Sequence, residues 1–505
     1  MNVLLSVPLQ DSLWFEISKN LNKIEQYNFY IASHNKPENF NFGNNFLDLC
    51  ELNNFDQKSI FDKEDINLSN IYTKNQYFKL KGIYTSAASR CGYFRSNAIN
   101  QEYLFNILVS RITTLVLNND IKIIGFDLTP HLPWELLAWE IIRIYGGYSF
   151  CFKRTIIGGA IYMETEIFGD KSNPFLVTSK KHPIFYLKDN NEIEDHFKKN
   201  QFSKFQKKGQ WIDNNKEISF NHKLKLFINK NIWTKYLSFL LIGFKFNKNM
   251  KVKPYLKANE ETKDISYIVS KNFHNKFESL FFILKYITTS LISELSLRKL
   301  IFNNQTYVDL ALNEKYIFFP LNMQPESTTI PQAIFWCNII SSINLIRSKF
   351  KEIPILVKEH PSQYQFDIRK FGFRTSEFYE TISKIKNVYF IDTNLSSEIL
   401  TKNAYAVAGI NGTNLYESLM LGKPTLYFTK QLIFDVPHSI NINNSSIEEI
   451  QNKIDLINRW NETYKRNLCY ESLKSQSKYL IHSGLYWRYV KLFMNEDFDL
   501  ASKNI

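Results

Sequence analysis

The chain has 505 residues, 44 % of them hydrophobic and 22 % charged, with a formal net charge of +13. That length is too great for one hydrophobic core and that composition excludes a disordered chain, so two domains with room for a small third are expected. Five cysteines (Cys50, Cys91, Cys151, Cys337, Cys469) stand far apart with no Cys-x-x-Cys pair, which argues against a thiolate metal site and for reduced, cytosolic thiols.

The charge excess, with a sequence pI near 9.1, has two readings. Abundant Lys, Asn, Ile and Phe fit an AT-rich coding bias. A binding adaptation would instead point to nucleic acid, a membrane surface or a phosphorylated substrate.

In chain order, "MNVLLSVPLQDSLWFE" lacks a basic leader region and reads as a first β-strand followed by an amphipathic helix. "YNFYIAS" is a second strand, and residues 36–80 read as loops and short pieces. "NAINQEYLFNILVSRITTLVLNND" is a long helix, "IKIIGFDLTP" a buried strand, "WELLAWEIIRIYG" a helix closed by glycine and "YSFCFKRT" a strand. Strand–helix–strand order with short connections implies a parallel sheet covered by helices. Residues 188–300 are lysine-rich and helical in pattern, a basic linker or insertion. No run reaches the roughly 18 apolar residues needed to span a bilayer; "YLSFLLIGF" at 236–244 is half that length.

Alternation resumes with "KYIFFPL", "PQAIFWCNIISSINLIRSKF", "IPILVKEHP", "FYETISKIK", "VYFIDT", "LSSEILTKN" and "YAVAG". The fold class that follows is α/β, with two Rossmann-like, doubly wound domains joined by a helical basic linker. The boundaries are 1–187 for the first domain, 188–300 for the linker, 301–470 for the second domain and 471–505 for a terminal helix and tail. In such sheets ligands bind beyond the carboxyl ends of the strands, and each candidate motif sits at such an end.

In "AGINGTNLYESLMLGKP", Gly409 and Gly412 allow a tight turn or close ligand approach, and Thr413 is placed as the helix cap. The exposed amides of Asn411, Gly412 and Thr413 at a helix start would cradle a phosphate, with Glu417 one turn on to meet ribose hydroxyls. A well-capped helix explains the same residues without a ligand. "VKEHP" sets Lys358, Glu359, His360 and Pro361 where a strand runs out, with His360 a donor or cation for phosphate. "FFPLNMQPESTT" presents Gln324 and Glu326 before a helix near Pro331. In the first domain, Asp127, His131 and Glu135 of "DLTPHLPWELLAWE" are candidates for acid/base work. The plainer reading makes Asp127 a loop cap and Glu135 a favourable charge in a first helical turn.

The three C-terminal motifs, in this order and spacing, together with "TPHLPWELLAWEIIRIYG", resemble the capsule polysaccharide biosynthesis glycosyltransferases, which include the bacterial β-Kdo transferases. The likeness spans 300–505 well and 121–160 fairly. Asn322 stands where the resemblance leads one to expect a histidine. The resemblance implies a GT-B architecture and a metal-independent transferase without a cofactor, with the nucleotide-sugar held by the second domain. It further implies His360–Pro361 at a CMP phosphate, Thr413 sharing that duty, and a growing or lipid-linked glycan as acceptor. A cytoplasmic location with peripheral contact at an anionic inner membrane face follows from such acceptors. CMP-linked Kdo or another nonulosonic acid is the preferred donor. A UDP- or GDP-sugar, or a non-catalytic sugar-nucleotide-binding assembly protein, are the alternatives. An acidic "EDFDL" with Asp497 and Asp499 reads as a solvated tail rather than a metal-binding motif. The dispersed lysines match no nucleic-acid-binding module.

Overall fold

The computed structural model describes residues 2–6, 28–33, 46–48, 68–90, 98–126, 129–154, 160–167, 230–249, 276–326, 329–330, 332–365, 370–429, 436–443, 446–476 and 481–482. The first part contains β1 (Asn2–Ser6), β2 (Asn28–Ser33), β3 (Phe46–Asp48), α1 (Lys74–Arg90), α2 (Ala98–Asn118), β4 (Ile121–Phe126), α3 (Pro133–Ile144), β5 (Tyr148–Arg154) and β6 (Ala160–Glu164). Two helices follow, α4 (Lys230–Asn249) and α5 (Lys276–Asn303). The second part opens with α6 (Gln305–Leu312), β7 (Ile317–Pro320), α7 (Ile339–Lys349), β8 (Ile355–Lys358), α8 (Ser376–Ser383) and β9 (Val388–Ile391). It continues with α9 (Ser397–Asn403), β10 (Ala406–Gly409), α10 (Thr413–Met420), β11 (Thr425–Tyr427), β12 (Ser439–Asn441), α11 (Ile447–Arg459), α12 (Glu462–Gln476) and β13 (Ile481–His482).

The first sheet runs β13-β6-β5-β4-β1-β2-β3. Its β1, β2, β3, β4 and β5 pair in parallel, while β6 and β13 add antiparallel edge strands. Helix α3 is buried along most of its length, from Pro133 to Ile142 apart from Glu135, with Trp139 fully enclosed. Helix α1 is what covers it, through Leu80, Tyr84, Ala87 and Ala88 and a Lys79–Glu140 ion pair. Residues 74–80 therefore belong to a helix and not to the loops expected there. Two small alanines and flanking lysines leave its period weak in the sequence.

The second sheet runs β12-β11-β10-β7-β8-β9, all parallel. Counted within the domain, this is the 3-2-1-4-5-6 order of a doubly wound nucleotide-binding sheet. Strand residues alternate between two helical layers. Ile317, Phe319, Val357 and Phe390 face α5, α7, α8 and α11, while Phe318, Leu356 and Val407 face α6, α9, α10 and α12. Burial on both faces is why these strands read as unbroken apolar runs. Four of the helices start on a side-chain cap: Asn338, Thr375, Ser396 and Ser446 accept from amides at 3.2–3.4 Å. The run "PQAIFWCNIISSINLIRSKF" is not one helix, because the Asn338 cap separates a short 3₁₀ turn (Ile334–Cys337) from α7.

Helix α5 runs through position 300, and its Leu297 and Ile301 pack into the second domain's core. Among the described residues, its Leu280–Asn303 stretch is the one helix long and apolar enough to cross a membrane by length and composition. It exceeds the 236–244 run in length, and part of it is spent on protein contacts. The two parts of the chain interlock: β13 pairs with β6, and Tyr162 of β6 is buried in the second domain's apolar cluster.

Behind α10 lies a fully buried imidazole, His438, whose Nε2 lies 3.0 Å from the Leu419 carbonyl oxygen and 3.2 Å from Cys469 Sγ. A carbonyl only accepts, so Nε2 carries the proton, and Nδ1 is a buried acceptor with no partner among the described residues. Burial lowers the ring's pKa from 6.5 to about 4, and the Lys465 and Lys453 ammoniums oppose protonation further. With the folded value depressed, His438 contributes stability that is present above pH 6.5 and lost as pH falls toward 4. Denaturant unfolding of wild type and His438→Gln should show a stability gap that narrows by about 3 kcal/mol across that window. A gap independent of pH contradicts a neutral buried ring.

Candidate functional site

The topological switch point of the second sheet lies between β7 and β10, the place where a doubly wound fold opens a crevice. Strands β8, β7 and β10 are successive neighbours, so their carboxyl ends lie within roughly 10 Å of one another. The loops leaving these three strands carry "VKEHP", "LNMQPE" and "INGT".

One buried network ties the loops together. Glu359 and Arg374, 1 % and 2 % exposed at their side chains, form an ion pair with Nε 2.8 Å from Oε2. The Tyr379 hydroxyl donates to the same oxygen at 2.7 Å, and the His360 amide donates to Oε1 at 2.7 Å. The rest of the Arg374 guanidinium donates to Gln324 Oε1 and, at 3.0 Å, to the Asn322 carbonyl oxygen. Asn322 Nδ2 in turn donates to the Asn411 carbonyl oxygen at 2.5 Å. Gln324 and Gln363 are locked by reciprocal bonds of 2.9 Å between backbone and side chain. His360, Glu359, Arg374, Asn322 and Asn411 thus form one continuous chain of contacts across the switch point.

Gly412 sits at φ +116°, and a Cβ there would meet Asn322 Nδ2 at 2.9 Å. A glycine is required both by the conformation and by the closeness of Asn322. Asn322 therefore has a structural duty where the resemblance led one to expect a histidine. The Gly412 residue, not Thr413, is the cap of α10; Thr413 begins the helix and is exposed. Asn411 Oδ1 accepts from the Gly412 amide at 2.7 Å, which shapes the turn. At the far end of α10, Gly422 has φ +70°, and the Gly422 and Lys423 amides donate back to Leu419 and Ser418, closing the helix.

His360 is half-buried, and its Nδ1 accepts from the Ser362 amide at 3.1 Å. An amide only donates, so the neutral ring carries its proton on Nε2. Burial lowers the ring's pKa, with the Lys370, Arg374 and Lys358 cations acting in the same direction against Glu359. His360 is thereby held as a neutral N–H donor rather than as the cation also considered from the sequence. Lys370, which donates to the Ser362 carbonyl at 2.6 Å, secures the same turn.

Lys358 is buried, and its ammonium donates to the Leu395 carbonyl at 2.6 Å and Ser397 Oγ at 2.7 Å. Burial lowers its pKa to about 8. Its hydrogen bonds join β8 to the start of α9, so its charge is directed into the domain. Gln324 is likewise committed to the loop network, its Nε2 donating to the Cys337 carbonyl at 3.0 Å. Pro361 is exposed, and Glu326 and Glu417 are half-buried. The carbonyl of Glu326 receives the Thr329 and Ile330 amides.

In the first sheet the corresponding switch point lies between β4 and β1. Asp127 lies outside the described residues. Glu135 Oε2 accepts from the amides of His131 (2.8 Å) and Leu132 (3.0 Å), the helix-start duty allowed for as the plainer reading. His131 Nδ1 is 3.0 Å from the Thr129 carbonyl oxygen and 3.8 Å from Glu135 Oε2. Since that carbonyl only accepts, Nδ1 is the protonated nitrogen and Nε2 the basic one. The two histidines thus hold opposite tautomers.

Sequence reasoning missed Arg374 and Tyr379. The available signal was an arginine flanked by phenylalanines in "FGFRTSEFYE", where a charge in an apolar setting needs a buried partner.

No family model matches the chain, and no curated protein matches it. Among solved structures it is similar to the UDP-GlcNAc 2-epimerase of Methanocaldococcus jannaschii in complex with UDP-GlcNAc and UDP, at 11 % identity and TM-score 0.25, covering 98 % of this chain and 99 % of that one. It is similar to the glycosyltransferase VinC in complex with dTDP, at 10 % identity and TM-score 0.21, covering 97 % and 99 %. It is also similar to the wall teichoic acid polymerase TagF, at 9 % identity and TM-score 0.18, covering 100 % and 90 %. Scores this low assign neither family nor activity, and the architecture rests on the chain's own strand order.

The loop network generates one prediction. Arg374→Met leaves the Glu359 carboxylate buried without its cation and should lower the unfolding free energy by about 3 kcal/mol. The double variant Arg374→Met/Glu359→Gln should recover part of that loss. Urea unfolding of both variants measures this, and a single variant within about 0.5 kcal/mol of wild type contradicts the pairing.

Proposed function

We propose that the protein is a GT-B-type glycosyltransferase that holds a nucleotide-sugar at the carboxyl end of its second sheet and delivers the sugar to a surface glycan or its lipid-linked precursor. The observation that carries this reading is the convergence at one switch point of a glycine-shaped helix start and a histidine held as an N–H donor. The phosphate oxygens would receive hydrogen bonds from His360 Nε2 and from the amides at the start of α10, at the positive end of its dipole. Glu417, one turn along the same helix, would meet the ribose.

Transfer requires three coupled events. The acceptor hydroxyl oxygen bonds to the anomeric carbon, the bond from that carbon to the donor phosphate breaks, and the hydroxyl proton departs. His131, with its basic Nε2, is proposed to take that proton, and Glu135 beside it would favour the imidazolium so formed. The electron pair of the broken bond stays on the phosphate, whose added charge the His360 N–H and the helix dipole would stabilise. The neutral donors suffice for this reading without a metal. Lys358, whose ammonium is engaged within the domain, is left out of the phosphate site.

The preferred donor is a CMP-linked Kdo or related nonulosonic acid, supported by the resemblance of His360–Pro361 to the CMP-handling pair. A UDP- or GDP-sugar is the alternative. A non-catalytic sugar-nucleotide-binding role would keep the donor site and dispense with His131.

His360→Ala removes one hydrogen bond to a charged group and should weaken nucleotide binding by about tenfold to a hundredfold. Its melting temperature without ligand should stay close to wild type. Thermal-shift titration with CMP, UDP and GDP measures both, since a ligand that binds the native state raises the melting temperature. Wild-type shifts retained in His360→Ala would remove the imidazole from the site. A His131→Ala variant that binds nucleotide and transfers sugar normally would remove the base.

A further inference from the structure

Helices α4 and α5 pack against each other, and α5 is also held against the second domain. Ile232, Tyr236 and Phe239 of α4 close against Phe282, Ile283, Tyr286 and Ile287 of α5. The opposite side of α4 presents Trp233, Leu237 and Leu241, spaced four residues apart and 58 %, 60 % and 57 % exposed. That spacing places the three in a line along one side of the helix. On α5, Phe277 and Phe281 are 84 % and 71 % exposed. Large side chains this open on two packed helices leave apolar surface without a partner among the described residues.

The charge carried by these helices bears on the partner of that surface. Helix α4 contains Lys230, Lys235, Lys245 and Lys248 and no Asp or Glu. On α5 the acids are Glu278 and Glu294, and Glu294 is turned inward, bonded to Lys235, Arg298 and the Tyr236 hydroxyl. Exposed Lys285 follows the two open phenylalanines on α5. A second copy of the chain would bring like charges together, on a molecule of formal charge +13. An anionic lipid surface supplies the opposite charge and an apolar layer at once. Tryptophan and leucine on an in-plane helix whose sequence also carries lysines are the groups such an interface accommodates. Helix α5 is fixed to the second domain through Leu297 and Ile301, which fits a helix pair lying on a bilayer better than one crossing it.

We propose that the exposed apolar surface of the α4–α5 pair docks the protein on an anionic membrane surface. This inference is independent of the nucleotide site. The test is flotation of the full chain with phosphatidylcholine vesicles, with and without phosphatidylglycerol. Wild type should float with the anionic vesicles, less so at high salt. Trp233→Ser/Leu237→Ser/Leu241→Ser should lower that partition by at least about tenfold. Its melting temperature should hold, because the three side chains are solvent-exposed. Wild type that stays in solution with anionic vesicles overturns the proposal, as does a triple variant that floats like wild type. A wild-type dimer that the triple variant dissociates, with no lipid binding by either, would assign the face to a second copy and overturn it too.

Discussion

The ion pair between Glu359 and Arg374 is the constraint on which the site depends. Taking both charges out of water costs more than their attraction returns unless the remaining donors and acceptors are met. Here they are: the carboxylate takes Arg374, the Tyr379 hydroxyl and the His360 amide, and the guanidinium reaches Gln324 and Asn322. An apolar pair of the same volume would fill the space more cheaply. What it would not do is tie together the loops after β7 and β8, whose own backbone bonds are mostly local turns. The buried charges set where His360 and Asn322 stand, and Asn322 sets how the chain turns into α10.

From that brace the proton states follow. The Ser362 amide, held in the turn that Lys370 secures, occupies His360 Nδ1 and leaves the neutral ring's hydrogen on Nε2. In the other sheet the Thr129 carbonyl occupies His131 Nδ1 and leaves Nε2 basic. Backbone groups therefore fix opposite tautomers in the two histidines, a donor and a base in the proposed transfer. That division matches the needs of a transfer in which one partner loses a proton and the other gains charge.

Much of this architecture was legible in the chain because parallel strands buried on two faces read as apolar runs, as those of β7, β8, β9 and β10 do, whereas the three-residue β12 was not seen. Gly412 was legible too, since a positive φ at a tight turn leaves few other choices. What escaped notice has a physical cause in each case. Helix α1 buries two alanines and so shows little period. Strands β6 and β13 are short antiparallel edges, and one comes from the far end of the chain. Helix α7 is separated by a cap from the turn before it. Arg374 acts on a loop fifteen residues before it, through a contact that no local pattern encodes. The roles of Lys358 and Gln324 changed for a related reason: spacing located them at the strand ends, but only the fold shows which way their polar atoms are committed.

A crystal structure of the protein with CMP or UDP would test the central claim most directly. The account predicts the phosphate beyond β7, β8 and β10, with an oxygen about 2.6–3.2 Å from His360 Nε2 and others facing the amides that begin α10. A nucleotide bound elsewhere, or a His360 ring turned so that Nδ1 faces the phosphate, would contradict it.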